Sequence, residues 1–223
     1  MHVRSLFAAT AVVFFWVSAI GSAPQTQAAG VTTAIETIVP TNFDTTWEVL
    51  LRELDEGDFT INATIRETST IRVLLDSKIP SPWVDCGSFS VNSKHEDLGD
   101  RNYNFLAANS ARYLVAHEEV NELIDVERLT SLKALATITL TPTKSGTRVN
   151  VDAHYVMKFR TREFGRNITP RFINQSVDFS SSGRATVTEE IREGAEMKTV
   201  SMDCRPTGAL ERQIVSVLQA PNT

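Results

Sequence analysis

The chain has 223 residues, of which 42% are hydrophobic and 22% charged, and a formal net charge of −5. This is an ordinary globular composition and excludes a disordered or collagen-like chain. The acidic balance argues against nucleic acid as the main partner.

The first 28 residues read as a secretory signal peptide. "MHVR" is basic, "LFAATAVVFFWVSAI" (6–20) is apolar and free of acids, and small residues follow in "GSAPQTQAAG". Thr26-Gln27-Ala28 is the preferred cleavage site. Gly21-Ser22-Ala23 is less suited because Pro24 would follow it. The apolar run is about 15 residues, short of the ~20 that span a bilayer. No cysteine lies near the cleavage region, so the expected product is exported, periplasmic or secreted, and not lipidated. The leader's only Lys or Arg is Arg4, and it has no acid, so its removal makes the rest one unit more negative.

Export decides how Cys86, in "PWVDCG", and Cys204, in "SMDCRPTG", are read. An oxidising compartment permits a disulfide between them. Two lone cysteines cannot supply four ligands to a structural zinc, and they lack redox Cys-x-x-Cys spacing. The competing reading is a free reactive thiol at Cys86, which needs an activating base that no sequence feature supplies.

Residues 29–223 read as one domain. "GVTTAIETIVP" (30–40) predicts a short strand ended by Pro40. "TNFDTTWEVLLRELDEG" (41–57) predicts a helix. Thr41 and Asp44 stand at capping-box spacing, and Phe43, Trp47, Leu50, Leu51 and Leu54 form its apolar face. "FTINATIR" (59–66) and "IRVLLD" (71–76) alternate and predict an antiparallel hairpin. The stretch 77–131 shows no clear period, and 90–131 reads as an insertion.

Alternation returns in "LKALATITLTP" (132–142) and "TRVNVDAHYVMKFR" (147–160), a long hairpin turning at "TKSG". After a polar loop, "RATVTEE" (184–190) and "MKTVSMDC" (197–204) read as strands. "PTGALERQIVSVLQAP" predicts a closing helix with Leu210, Ile214, Val217 and Leu218 on one side. A sheet with one wet face and helices on the other is an α+β architecture.

Several of these segments together resemble a known family. They are Trp47-x-x-Leu50-Leu51-x-x-Leu54, then Phe59-x-Ile61, "WVDCG" (83–87), and Cys204-x-x-Thr207-Gly208-x-Leu210-Glu211 opening a helix. The pattern is similar to the domain of the C lipoprotein of the bacterial β-barrel assembly machinery. The resemblance covers 41–90 and 132–219. It implies a helix-grip-like fold, in which a curved antiparallel sheet packs on a long C-terminal helix beside an N-terminal one, and an envelope location. That lipoprotein carries a lipidated cysteine and two such domains. This chain has neither, so an assembly role does not carry over.

The chemistry-bearing motifs are sparse. His95, His117 and His154 lack the spacing of a zinc site. No nucleophile elbow, phosphate loop or dinucleotide fingerprint occurs, so no metal, cofactor or enzyme activity is expected. The sequons at Asn62, Asn167 and Asn174 matter only in a eukaryotic secretory pathway, and the reading is bacterial.

The best local signal is "KFRTREFGRNITPR" (158–171). It places Lys158, Arg160, Arg162, Arg166 and Arg171 against a single acid, Glu163. It reads either as a docking surface for an anion, such as a lipid head group or an acidic envelope protein, or as a solvated strand end and loop. A second possibility is a carrier of a small apolar ligand in a cavity between sheet and helix, lined by Ala134, Ala136 and Ala153. The first choice is a non-enzymatic envelope protein that acts by binding.

Overall fold

Two neighbouring segments alternate apolar and polar residues for most of their length, and they organise the fold. The computed structural model describes residues 35–219 except 58, 98 and 195. The expected signal peptide lies outside the described residues.

In chain order the elements are β1 (Ile35–Val39), α1 (Phe43–Glu56), β2 (Thr60–Ile65), β3 (Thr70–Ser77), β4 (Val84–Asp85), β5 (Ser88–Ser93), β6 (Arg101–Leu106) and β7 (Ala111–His117). A 3-10 turn (Glu118–Val120) leads to β8 (Glu122–Thr143), β9 (Gly146–Phe164), β10 (Arg171–Ser180), β11 (Ala185–Glu193), β12 (Glu196–Pro206) and α2 (Ala209–Ser216).

β8 and β9 pair antiparallel from Asp125↔Phe164 to Thr143↔Gly146. At 22 and 19 residues they run roughly 60–70 Å of strand. The turn between them is tight. A Cβ on Gly146, which has φ +138°, would lie 2.0 Å from the Val39 carbonyl oxygen, so only glycine fits. The free edge of β8 takes β7 and then β3, and β2 follows β3. The free edge of β9 takes β1 and β10. The pairing of β2 with β3 shifts register between Ile61 and Ala63, placing a bulge at Asn62.

One face of this sheet is the core. Ile124, Val126, Leu132, Ala134, Ala136, Ile138 and Leu140 of β8, and Val149, Val151, Ala153, Tyr155, Met157 and Phe159 of β9, are all buried. Above them lie the two helices and two small sheets, β11-β12-β4 and β5-β6. Helix α1 begins one residue later than the capping-box expectation. Asn42 is the N-cap, and its side-chain oxygen accepts from the Thr45 N–H at 2.9 Å.

The expected helix-grip-like α+β fold is overturned. Of the described residues 61% are strand and 13% helix, so the protein is mainly β. Among the described residues there is no long C-terminal helix. α2 spans eight residues, about 12 Å, and then tightens into i→i+3 turns at Leu218 and Gln219. The stretch without a clear period supplies the difference. Residues 88–117 form β5, β6 and β7, and the small sheets cover much of the face expected to hold a helix. Residues 171–180, expected as loop, are β10.

Polar ties join the layers. Arg128 of β8 meets Glu189 of β11, both buried. The Glu163 carboxylate, also buried, takes Arg192 at 2.9 Å and Arg171 at 3.4 Å. The Tyr155 hydroxyl and the Ser181 hydroxyl both donate to Glu211 Oε1 of α2, at 2.7 and 2.6 Å. Burial and then the Glu211 charge raise the Tyr155 phenol, which therefore stays protonated as the donor.

Cys86 and Cys204 form a disulfide, compatible with an oxidising compartment. The quoted motifs meet around it. The Thr207 N–H donates to the Trp83 carbonyl at 2.9 Å, the Thr207 hydroxyl to the Pro82 carbonyl at 2.8 Å, and Arg205 pairs with Asp85 at 3.1 Å. Gly208, at φ +76°, turns the chain into α2. The Gly87 N–H and then Arg205 hold the Asp85 carboxyl below its ordinary 3.8. A depressed folded pKa contributes stability above the unfolded value, and that contribution is lost as pH falls through the folded one. Asp85 is half exposed, so solvent screening keeps the effect small. Asp85→Asn is expected to cost about 0.5–1 kcal/mol at pH 7. Urea unfolding at pH 7 and pH 3 checks this, because the gap between wild type and variant should narrow as the pH falls below 3.8.

Candidate anion-binding face

The outer face of the main sheet is built by the same alternation that builds the core. Even-numbered residues of β9 and β10 and odd-numbered residues of β8 point outward. Arg160 sits between Leu129 of β8 and Asn174 of β10. Lys158 sits between Ser131 and Ser176. Lys133 stands opposite Val156, diagonal to Lys158.

Most cations on this face have a carboxylate. Arg148 pairs with Glu36 at 3.3 Å, Lys133 with Asp76 at 3.5 Å, and Arg162 with Glu127 at 3.5 Å. His154 faces Asp178 at 3.6 Å. Arg112 donates to Asp125 at 3.0 Å, and that hydrogen bond holds the Asp125 carboxyl below the usual carboxylate range. Lys158 and Arg160 differ. Neither has a hydrogen-bond or ion-pair partner among the described residues.

These two cations line an open groove of about 540 Å³ with Lys133, Ser131, Asn174 and Ser176. Phe159 and Gln175 close it from below. Outward residues two apart on one strand are about 6.6 Å apart, and diagonal neighbours 7–8 Å. Lys158 and Arg160 thus bring an ammonium and a planar guanidinium fork to one open groove, beside a Lys133 held by Asp76, and both groups suit a phosphate or carboxylate. Hydroxyl and amide groups at the rim add neutral donors.

Of the five cations expected to act together, the structure brings Lys158 and Arg160 into the groove and places Arg162 one pair further along the same face. Arg166 lies in the connection between β9 and β10 and has no partner among the described residues. Arg171 does not join them. It pairs in register with Glu163, whose side chain points inward, and it also holds Glu190. Arg171 is a counter-ion for a buried acid. Sequence reasoning missed Lys133, Ser131, Asn174 and Ser176, because only the strand register brings them beside Lys158.

Other expected sites resolve differently. Ala134, Ala136 and Ala153 belong to the packed core cluster. Among the described residues no group of three or more His, Cys, Asp or Glu converges as metal ligands do. No helix among them is long and apolar enough to cross a membrane. Two further hollows, about 380 and 150 Å³, flank the disulfide. The larger mixes Asp85 and Asp203 with Arg184 and Arg205, so its charges oppose one another. The groove over β8, β9 and β10 is the better ligand site because its charge is of one sign.

No family model, curated protein or solved structure matches this chain.

Proposed function

We propose that this is an exported bacterial envelope protein that acts by binding, and that its groove takes a phosphate-bearing head group. The observation that carries the reading is the adjacent, unpaired Lys158 and Arg160 in a groove where the flanking Lys133 and Arg162 each have a carboxylate. A ligand phosphate would supply the missing counter-charge. The disulfide and the leader-like first 28 residues support export, and the short motifs shared with the assembly-machinery lipoprotein support an envelope setting. Binding needs no reacting group here, since the groove offers charge and hydrogen-bond donors alone.

The test is titration with dihexanoyl phosphatidylglycerol below its micelle concentration, followed by amide NMR shifts. Each exposed cation is worth about 1 kcal/mol toward an anionic head group, so Lys158→Glu with Arg160→Glu should weaken binding roughly thirtyfold or more. Raising salt should weaken the wild type as well. Unchanged affinity in the double variant sinks the reading.

A further inference from the structure

On the same outer face, just beyond the groove, two large aromatic side chains stand in solvent. Phe172 is 62% exposed and Phe164 40% exposed. Their rings meet edge to face with centroids 5.9 Å apart. Phe172 lies opposite Arg162, and Phe164 follows Arg162 along β9. Leu114, 37% exposed, stands on β7 two strands away in the same row, opposite Asp125, which in turn pairs with Phe164. The Asp125 charge between them is met by Arg112. The result is a short apolar strip bordered by Arg160, Arg162 and Arg166.

We infer that this strip is a membrane-docking edge, and that its occupant is the surface of an anionic lipid bilayer. The inference rests on the head-group reading of the groove. Charge and apolar exposure both point to this occupant. Aromatic side chains are suited to the boundary between head groups and acyl chains, where an apolar ring can leave water without burying a charge. Outward neighbours along β9 are about 6.6 Å apart, so Arg162 and Arg160 lie about 7 and 13 Å behind Phe164. With the rings at the acyl boundary, those guanidiniums reach the phosphate layer. Arg160 and Arg166 have no protein partner among the described residues and are open to lipid phosphate. Neither ring is needed for the core, since both project from its wet side.

Protein recovered from the periplasm of a bacterial host is mixed with vesicles of 70% phosphatidylcholine and 30% phosphatidylglycerol, and in parallel with soluble dihexanoyl phosphatidylglycerol. Phe164→Ser with Phe172→Ser should weaken vesicle binding tenfold or more and leave soluble-lipid binding unchanged. Phe172→Trp should gain fluorescence that lipids brominated on the acyl chain quench, beyond the quenching of the wild type. Vesicle binding unchanged in the ring variant overturns the inference while the groove reading stands. Soluble-lipid binding unchanged in Lys158→Glu with Arg160→Glu is the separate failure of the groove. Equal wild-type binding to pure phosphatidylcholine overturns the docking edge. So does a wild type that ignores anionic vesicles, which would leave an acidic protein surface as the occupant.

Discussion

Replacing Arg128 with methionine should lower the unfolding free energy by about 3–5 kcal/mol, the range for breaking a buried ion pair from one side. Arg128 is 1% exposed. Its Nε and Nη2 donate to the two oxygens of Glu189, each at 2.8 Å, and its Nη1 donates to the Asn109 carbonyl at 3.0 Å. The Phe89 and Phe159 rings hold the guanidinium, with centroids 5.1 and 5.0 Å away. Removing the cation leaves the Glu189 carboxylate in the core with nothing opposite it. Glu189→Met strands the guanidinium in the same way. The double variant, Arg128→Met with Glu189→Met, should recover most of the loss, because two apolar side chains need no partner. Equilibrium urea unfolding of the two single variants and the double variant measures this as a cycle. A single-variant loss below about 1 kcal/mol would mean that water reaches the pair, contrary to the burial seen here. The pair also joins β8 to β11, so its loss should loosen the small sheet against the main one.

That ion pair explains why much of the chain could not be read from sequence. In the first half of β8 the inward positions are Ile124, Val126, Arg128 and Thr130, while Leu123 and Leu129 point outward. The period-2 pattern is broken where the core accepts a charge whose partner lies 61 residues away. β10 fails for the same reason. Its inward Arg171 and Gln175 look like loop residues until Glu163 and the Thr188 carbonyl are set beside them. Where no such partner exists the strands were legible. β3 buries Ile71, Val73 and Leu75, and β9 buries Val149 through Phe159 at every second residue, both as expected. The basic run at 158–171 is visible in the sequence as a reversal of charge, but its division between β9, a connection and β10 is not. The rest of the groove is not visible either, because Lys133, Asn174 and Ser176 come from other strands. The expectation of a gripping helix fails because 88–117 has no clear period, so its three strands do not show in the sequence. Once they are counted, the inner face has layers enough without a long helix.

Replacing Cys86 and Cys204 together with alanine should cost about 2–5 kcal/mol. The bond closes a sequence separation of 118 residues, and chain-entropy scaling puts loops near that length at about 4.7 kcal/mol, with strain and residual structure lowering the realised value. Alanine is the better test residue, since serine would also bury a hydroxyl at Cys204, which is fully buried. The folded junction should keep its geometry without the bond. β4 still pairs with β12 through Asp85↔Arg205 and Val84↔Pro206, and Thr207 still bonds to Trp83 and Pro82. The loss should therefore show in the unfolding midpoint and not in the native spectrum. Reduction must wait for an opening, because both sulfurs lie in the core. Thiol alkylation in reductant should thus track unfolding and accelerate with urea, and prompt alkylation of native protein would show that the junction opens locally. The same numbers bear on compartment. Several kilocalories per mole are a large share of a typical 5–15, so a chain of this kind held in a reducing cytosol would be left markedly less stable. Comparing the yield and urea midpoint of cytosolic and periplasmic protein tests that link. Equal midpoints would show that the fold does not depend on an oxidising compartment.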